Sequence, residues 1–386
     1  MVEISVILPS YNAIDYLDES LNSIINQTFT DLEIICVNDG STDNTLERLK
    51  EYAEKDSRIQ VYTQENRGPG GATNTGLDKA TGKYIYLMDA DDILDLNALE
   101  ELYNIMEQKD VDMAIFLSLI YEENTKTYEK QEYYSMPEIN EAVGDTIFHW
   151  KDLGNLIFKI SVTPWSKLYK HEIIKNNGLR FLEKTIFQDN VFFWEFLFNT
   201  NEIYFYNKFL YTRRIRSTSC IHSKDKRNID TIKINNLIVK TFMDYGHFEE
   251  FKENLYNKKI HLVNRRYDEI QDEFKELFFS EMKKDYVKII GHEKYDEFHS
   301  CLYLKNTYLF DNAISSSNHV EYDLKNEISA LEMDKTRLTN EINNLIKQTN
   351  ELKRENQELS KLKKEVIYSK SWQLTKPLRM IWNKRK

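Results

Sequence analysis

Short apolar runs alternate with amphipathic stretches across residues 2–119. The runs at 4–8, 33–37, 59–62, 83–88 and 113–117 are rich in β-branched and aromatic side chains and predict strands. Between them, 16–26, 45–54, 71–79 and 98–108 carry helical patterns. In the first of these, Leu17, Leu21, Ile24 and Ile25 fall on one face, the spacing of a helix packed against a sheet. Strands and helices in this alternation predict βαβ units on a parallel sheet. Over 121–155 the pattern dissolves into polar and aromatic residues, which predicts a long excursion over the sheet. Order returns at 157–169, an aromatic-rich helix is predicted over 190–198, and 230–312 reads as irregularly helical.

A different period takes over near Glu321. Leu324, Leu331, Leu338, Leu345, Leu352 and Leu359 recur every seventh residue, with Ile328 and Ile342 four residues after a leucine. This heptad seam with leucine at d predicts a coiled coil, although one amphipathic helix lying on the rest of the protein gives the same pattern. Thr349 and Asn356 take a positions, where polar groups lower stability and can fix register. In a parallel pair Glu327 would face Glu332 of the partner subunit, so self-association and association with another chain both stand. Further on, Trp372, Leu374, Leu378, Ile381 and Trp382 mix with Lys370, Lys376, Arg379 and three terminal basic residues. That is the composition of an interfacial anchor or a partner-docking helix, interrupted at Pro377, with packing on the protein's own surface as the plain alternative.

Composition narrows the partners. The 386 residues carry 52 basic and 63 acidic side chains, a formal charge of −11, which argues against broad nucleic-acid binding. The acidity is uneven, because residues 361–386 hold nine basic residues against the single acid Glu365. Cys36, Cys220 and Cys301 are too few and too scattered for a disulfide framework or a thiolate zinc site, which suits a reducing cytoplasm. Residues 1–9 enter a strand directly, without a charged lead and apolar h-region, and no run reaches the roughly 20 apolar residues that span a bilayer. A soluble cytoplasmic protein is expected, with peripheral contact at the inner face of the cell membrane through the basic tail.

The candidate chemistry begins at Tyr84-Ile85-Tyr86-Leu87-Met88-Asp89-Ala90-Asp91-Asp92, an apolar strand that ends in three acids. Unpaired carboxylates in a core would cost many kcal/mol, so these acids belong at the strand's carboxyl edge, where open α/β sheets bind ligands. Asp89 and Asp91 flank one residue and can converge on a hard divalent cation, Mg²⁺ or Mn²⁺, which in turn can hold a diphosphate. A solvated loop with Asp92 or Asp95 capping the next helix is the plainer reading. The company these acids keep decides between the two.

Ser5-Val6-Ile7-Leu8-Pro9-Ser10-Tyr11-Asn12, then Gln27-Thr28-Phe29, then Val37-Asn38-Asp39-Gly40-Ser41-Thr42-Asp43, then Asn66-Arg67-Gly68 with Asn74-Thr75-Gly76, then Asp89-Ala90-Asp91-Asp92 resemble, in order and spacing, the family 2 glycosyltransferases of the GT-A fold. The resemblance implies an α/β fold: a nucleotide-sugar-binding sheet flanked by helices over 1–230. A helical extension over 231–320, a coiled coil over 321–362 and a basic amphipathic tail over 363–386 follow. It implies a UDP-sugar donor, a glycan or lipid-linked glycan acceptor, inversion at the anomeric carbon, and a divalent cation held by Asp91 with Asp89. Pro9, Tyr11, Asn12, Asn66, Asn74, Asp89 and Ala90 are carried over as nucleotide contacts, Tyr11 as an aromatic able to stack on a base. Asp39 matches the aspartate that contacts uracil, while Ser41 and Asp43 suit a turn and helix cap. Many relatives carry Asp where this chain has Asn38.

Six further positions follow from weaker matches. Phe187-Gln188-Asp189-Asn190 resembles the family's Glu-Asp motif with Gln188 in place of Glu, and Asp189 matches the general base; capping of the following helix is compatible with that role. Leu210-Tyr211-Thr212-Arg213-Arg214-Ile215-Arg216 resembles a Tyr-Arg-x-Arg segment, which makes Arg214 and Arg216 candidates for the leaving diphosphate. His222 is a candidate metal ligand or a structural histidine. Trp165 and Lys167 fall where relatives build the acceptor pocket, and Trp165 could equally be core. The Gly68, Gly70 and Gly71 cluster follows the third strand and not the first, so it is no dinucleotide fingerprint. A nucleotide-sugar pyrophosphorylase would need a Gly-rich basic loop after strand one, which Pro9-Ser10-Tyr11-Asn12 lacks. An inactive transferase-like scaffold would keep the coil without the acids.

Overall fold

The computed structural model describes residues 2–216 and 224–383. It forms two units, Met1–His319 and Val320–Lys386. In the first unit one sheet contains β1 (Ile4–Ser10), β2 (Leu32–Asn38), β3 (Ile59–Thr63), β4 (Tyr84–Leu87), β5 (Ile93–Leu94), β6 (Met113–Glu122), β7 (Thr127–Glu129), β8 (Ile147–Phe148), β9 (Lys167–Lys170) and β10 (Ile203–Ile215). Its order is β3-β2-β1-β4-β9-β6-β10-β5, with β7 on β6 and β8 on β10. Strands β3, β2, β1 and β4 run parallel, β9 is inserted antiparallel between β4 and β6, and β10 runs parallel to β6.

Two-residue alternation explains why the strands read as continuous apolar runs. Ile4, Val6 and Leu8 of β1 and Ile34 and Cys36 of β2 enter one core; Ile7, Ile35 and Val37 enter the core on the other face. The first core is closed by α1 (Ile14–Ile25), α2 (Thr45–Ala53) and α4 (Ala98–Lys109), through Leu17, Leu21, Ile24, Leu49, Leu99 and Leu102. The second is closed by α3 (Gly68–Lys79), α6 (Pro137–Val143), α7 (His171–Asn176) and α8 (Asp189–Phe198). Helix α3 starts earlier than its apolar pattern predicts, because Pro69 lies in its first turn and needs no N–H partner there.

The predicted excursion over 121–155 contains more order than its composition suggests. β6 runs on to Glu122, β7 folds back on it, α5 (Glu132–Ser135) and α6 follow, and β8 joins β10. These pieces are short and depend on tertiary contacts, Ile139 and Val143 of α6 being buried in the second core. Helices α9 (Asp230–Asp244), α10 (Phe248–Glu269), α11 (Asp272–Ile290), α12 (Tyr295–Ser300) and α13 (Leu304–Ser315) complete the first unit. Phe242 of α9 packs on Trp194 of α8 at 4.9 Å between ring centroids, so the helices share a core with the sheet.

The second unit is mostly α14 (His319–Tyr368), followed by α15 (Lys370–Leu374) and α16 (Lys376–Asn383). The six d leucines are exposed, from 50% at Leu338 to 63% at Leu331 and Leu359. Ser369 caps α15 by accepting from the Trp372 N–H, and the Arg379 guanidinium lies 3.4 Å from the Trp372 ring centroid. Pro377 occupies the first turn of α16, where the chain has already broken at Thr375.

Candidate functional site

The site residues gather where β1, β2 and β4 end. After β1, Asn12 turns through φ 48°, and its amide oxygen accepts from the Thr42 N–H at 2.8 Å while its own N–H donates to Ser41 Oγ at 3.0 Å. Asp43 accepts from the Ile14 and Thr45 N–H groups. Asn12 and Asp43 thus lace the two loops together. Pro9 is half-buried in β1 and Tyr11 is 52% exposed beside this junction, a free aromatic face at the rim.

Asp39 is buried, its N–H donating to the Ser10 carbonyl at 2.9 Å. Its Oδ1 accepts from Gln64 Nε2 at 2.7 Å and from the Arg67 N–H at 2.9 Å, which leaves Oδ2 without a hydrogen bond among the described residues. Asn66 Oδ1 accepts from the Gly68 N–H. Asn74 turns inward: it exchanges two 2.9 Å hydrogen bonds with the Phe181 backbone and fixes that segment. Gly70 permits a close approach as well, and the group it accommodates is the Leu182 carbonyl, onto which a Cβ would run.

The three acids after β4 divide by environment. Asp92 is buried, accepting from Tyr211 Oη at 2.6 Å and from the Arg214 N–H at 2.7 Å. It ties the acidic loop to β10 and does not cap α4; Asp95 accepts from the Asn97 N–H ahead of that helix. Ala90 is buried between its neighbours. Asp89 is exposed and takes no side-chain hydrogen bond among the described residues, and Asp91 pairs through Oδ2 with Arg216 at 2.5 Å. One oxygen from each of Asp89, Asp91 and Asp92 lies within 4.8 Å of the others. Surrounding protein and the neighbouring Asp91 charge push the Asp89 carboxyl up to about 7. With Asp92 engaged, Asp89 and Asp91 are the hard oxygen donors left to face a divalent cation, a set that fits Mg²⁺ or Mn²⁺ completed by water and phosphate oxygens. His222 lies outside the described residues.

Arg214 is buried, with its guanidinium on the Asp91 carbonyl and on Glu19, over the Tyr16 ring. Arg216, the residue after β10, lies 4.6 Å from the same ring. Arg213 points to the opposite face, as alternation along a strand requires, and donates to Tyr134 Oη. Its charge acts on Asp89 and on Asp189. The Tyr-Arg-x-Arg resemblance singled out Arg214 and Arg216 and passed over Arg213; the period of two along β10 is the signal that separates them.

Asp189 opens α8, is half-buried and accepts from Asn190 Nδ2 at 3.0 Å. Burial pushes its carboxyl above the ordinary range, while Asn190, Lys167 and Arg213 pull it back. Lys167 is buried with Nζ donating to the Ser161 and Thr163 carbonyls at 2.5 and 2.7 Å, and burial pulls its ammonium down to about 7. Trp165 is buried too, stacked on Tyr211 at 4.7 Å. The structure therefore brings Asp89, Asp91, Asp189, Arg213 and Arg216 to one sheet edge, and it engages Asn74, Arg214, Trp165 and Lys167 within the protein.

Comparison with known proteins establishes the family and the fold. The glycosyl transferase family 2 pattern matches residues 5–162. The chain is 30% identical over 298 residues to the uncharacterized glycosyltransferase YibD of Escherichia coli, covering 73% of this chain and 86% of that one. It is 30% identical over 317 residues to a cholesterol galactosyltransferase of Borreliella burgdorferi, covering 75% and 88%. Among solved structures, S. aureus TarS 1–349 in complex with UDP-GlcNAc superposes with a TM-score of 0.66 over 84% of this chain and 90% of that one. At 20% identity that likeness is one of fold, a GT-A-like α/β sheet. Sequence match, relatives of nearly equal extent and fold coincide, and the chain belongs to glycosyl transferase family 2 as a glycosyltransferase.

Proposed function

We propose that the protein moves a sugar from a UDP-sugar donor to a hydroxyl of a cell-surface or secreted glycan, or of its lipid-linked precursor, with inversion at the anomeric carbon. The observation that carries this reading is the convergence of two groups of carboxylates on one sheet edge, Asp89 and Asp91 after β4 and Asp189 at the start of α8, with the Asp189 charge felt at Asp89. Asp39 offers an open carboxylate oxygen to an imide N–H, and Tyr11 offers a ring to the base. A UDP-GlcNAc complex of the fold neighbour supports the choice of donor class.

Asp189 takes the proton of the attacking hydroxyl. Its partial burial makes it more basic than an exposed aspartate, and Lys167 and Arg213 keep its ionised form accessible. Arg216, already beside Asp91, presents a planar fork to phosphate oxygens. Asp89 and Asp91 would hold Mg²⁺ or Mn²⁺, which when bound supplies positive charge for the departing diphosphate. Direct displacement needs no covalent enzyme intermediate.

In this reading residues 1–230 carry the transfer, 231–320 support it, 321–362 associate with a second chain, and 363–386 contact an anionic membrane surface at the cytoplasmic face. Among the described residues no helix is long and apolar enough to cross a membrane. The deciding experiment incubates the protein with a panel of nucleotide sugars and Mn²⁺ and measures nucleoside diphosphate release, with and without candidate glycan acceptors. Release from a UDP-sugar alone among the panel supports the assignment. Tight UDP binding without release from any donor would instead favour an inactive scaffold acting through its coil.

A further inference from the structure

We infer that Asp230, at the start of α9, is a positioning residue for Asp189, so that the helices beyond the sheet hold the backbone that presents the base. This rests on the reading of Asp189 given above. The chain approaches α8 through residues 181–188, and two of these stand in the left-handed region, Lys184 at φ 53° and Phe187 at φ 62°. A bulky aromatic rarely adopts that conformation unless its surroundings impose it, and such strain gathers where a side chain must be aimed. Phe187 precedes Asp189 by two residues.

The restraint comes from two sides. Helix α3 and the residue before it fix the first half: Asn74 exchanges its hydrogen bonds with Phe181, the Lys184 N–H donates to the Arg67 carbonyl at 3.0 Å, and the Arg67 guanidinium pairs with Glu183. The second half is held by the helices. Asp230 Oδ2 accepts from Thr185 Oγ1 at 2.8 Å and from the Ile186 N–H at 3.2 Å, and Arg266 of α10 lies 4.9 Å from the Phe187 ring. Thr185 is buried, so if Asp230 is lost its hydroxyl is left with the Ile186 carbonyl at 3.2 Å and not with bulk water. A single carboxylate from outside the sheet thus anchors the two residues immediately before the strained turn, while Asp39, Asp89 and Asp91 make no contact with it.

The test uses full-length protein. Asp230→Asn keeps the side chain's shape and removes its charge; Thr185→Val removes one donor and keeps its volume, and it serves if Asp230→Asn does not fold. Hydrogen–deuterium exchange is followed at the amides of 183–190, UDP binding with Mn²⁺ is measured by calorimetry, and kcat and donor KM are measured with the UDP-sugar that the donor panel selects. The expected result is exchange at 185–189 about tenfold faster with the rest of the sheet unchanged, the factor of one lost charge-assisted hydrogen bond. UDP affinity and donor KM hold while kcat falls by roughly tenfold or more, and Thr185→Val moves each quantity in the same direction by less. Three outcomes overturn the inference: unchanged exchange at 185–189, faster exchange there with full kcat, or exchange raised throughout the protein, which marks a merely structural contact. Full turnover by Asp189→Asn would remove the base itself, and this inference with it, whatever the exchange data show.

Discussion

Asp91 and Asp89 differ from Asp92 in what their carboxylates already hold, and that difference sets the expected effect of each substitution. Asp91 sits at the edge with one ion pair to Arg216, so Asp91→Ala is expected to change stability by no more than about 1 kcal/mol, the usual worth of a partly exposed pair. UDP affinity in the presence of Mn²⁺ is expected to fall to its metal-free value. Calorimetry with and without Mn²⁺ measures both states, and undiminished metal-dependent affinity would remove Asp91 from the cation site. For Asp189, substitution by Asn is expected to leave UDP binding intact and lower kcat by about 10²–10⁴-fold. The pH dependence has a definite sign. A base must be ionised, and burial raises the Asp189 carboxyl, so the acid limb of kcat is expected above the range of an ordinary aspartate. The same raised value means that ionising Asp189 costs stability: its contribution is fully present below the unfolded-state value and is lost as pH rises through the folded-state value. The acids after β4 were legible because they adjoin one another in the sequence. Arg213 was not, because its relevance depends on which face of β10 meets Tyr134 and Asp189.

Among the elements, β10 and α14 carry the clearest expectations. β10 is thirteen residues long; it holds Arg213 toward Tyr134 and Asp189 and Arg214 toward Tyr16, and Arg216 follows immediately after it over the same Tyr16 ring. α14 presents Leu324 through Leu359 at 50–63% exposure along a single seam, an apolar stripe of the kind that pairs of helices bury in coiled coils. The double substitution Leu338→Asp with Leu345→Asp places charges in adjacent d layers and is expected to lower the solution mass to that of one chain. Light scattering measures that mass, and a full-length protein already monomeric at micromolar concentration would sink the association. Periodicity reports the seam from sequence alone because seven residues make two helical turns. What covers the seam depends on a second surface, and α14's own sequence carries no information about that surface.

At the scale of the molecule, the charge distribution sets the expectation. An acidic chain of formal charge −11 ends in a stretch with nine basic residues, and the last two helices carry three of them, Lys370, Lys376 and Arg379, beside exposed Trp372, Leu374 and Leu378. Each basic residue near an anionic surface contributes roughly 1 kcal/mol of attraction, which salt screens. Removing 321–386 is therefore expected to leave UDP binding unchanged and to abolish salt-sensitive sedimentation with anionic vesicles. Retained sedimentation of the shortened protein, or sedimentation of the full chain that ignores salt, would sink the membrane contact.

The sequence by itself determined the elements whose signal is local. Ile4, Val6 and Leu8 against Ile7 encode a strand buried on both faces, three acids after an apolar run encode a sheet edge, and leucine every seventh residue encodes the long helix. Only the tertiary structure decided which polar groups remain available for chemistry. Asp92 is taken by Tyr211 and Arg214, Asn74 by Phe181, Lys167 by two carbonyls and Trp165 by stacking, and three of these contacts join residues more than 100 positions apart. It also set the strained turn before Asp189, which Asp230 restrains from beyond the sheet. The physical reason is that the periodicity of a helix or strand is written in neighbouring residues, whereas the availability of a carboxylate or an amide depends on partners that only the folded chain brings within hydrogen-bonding distance.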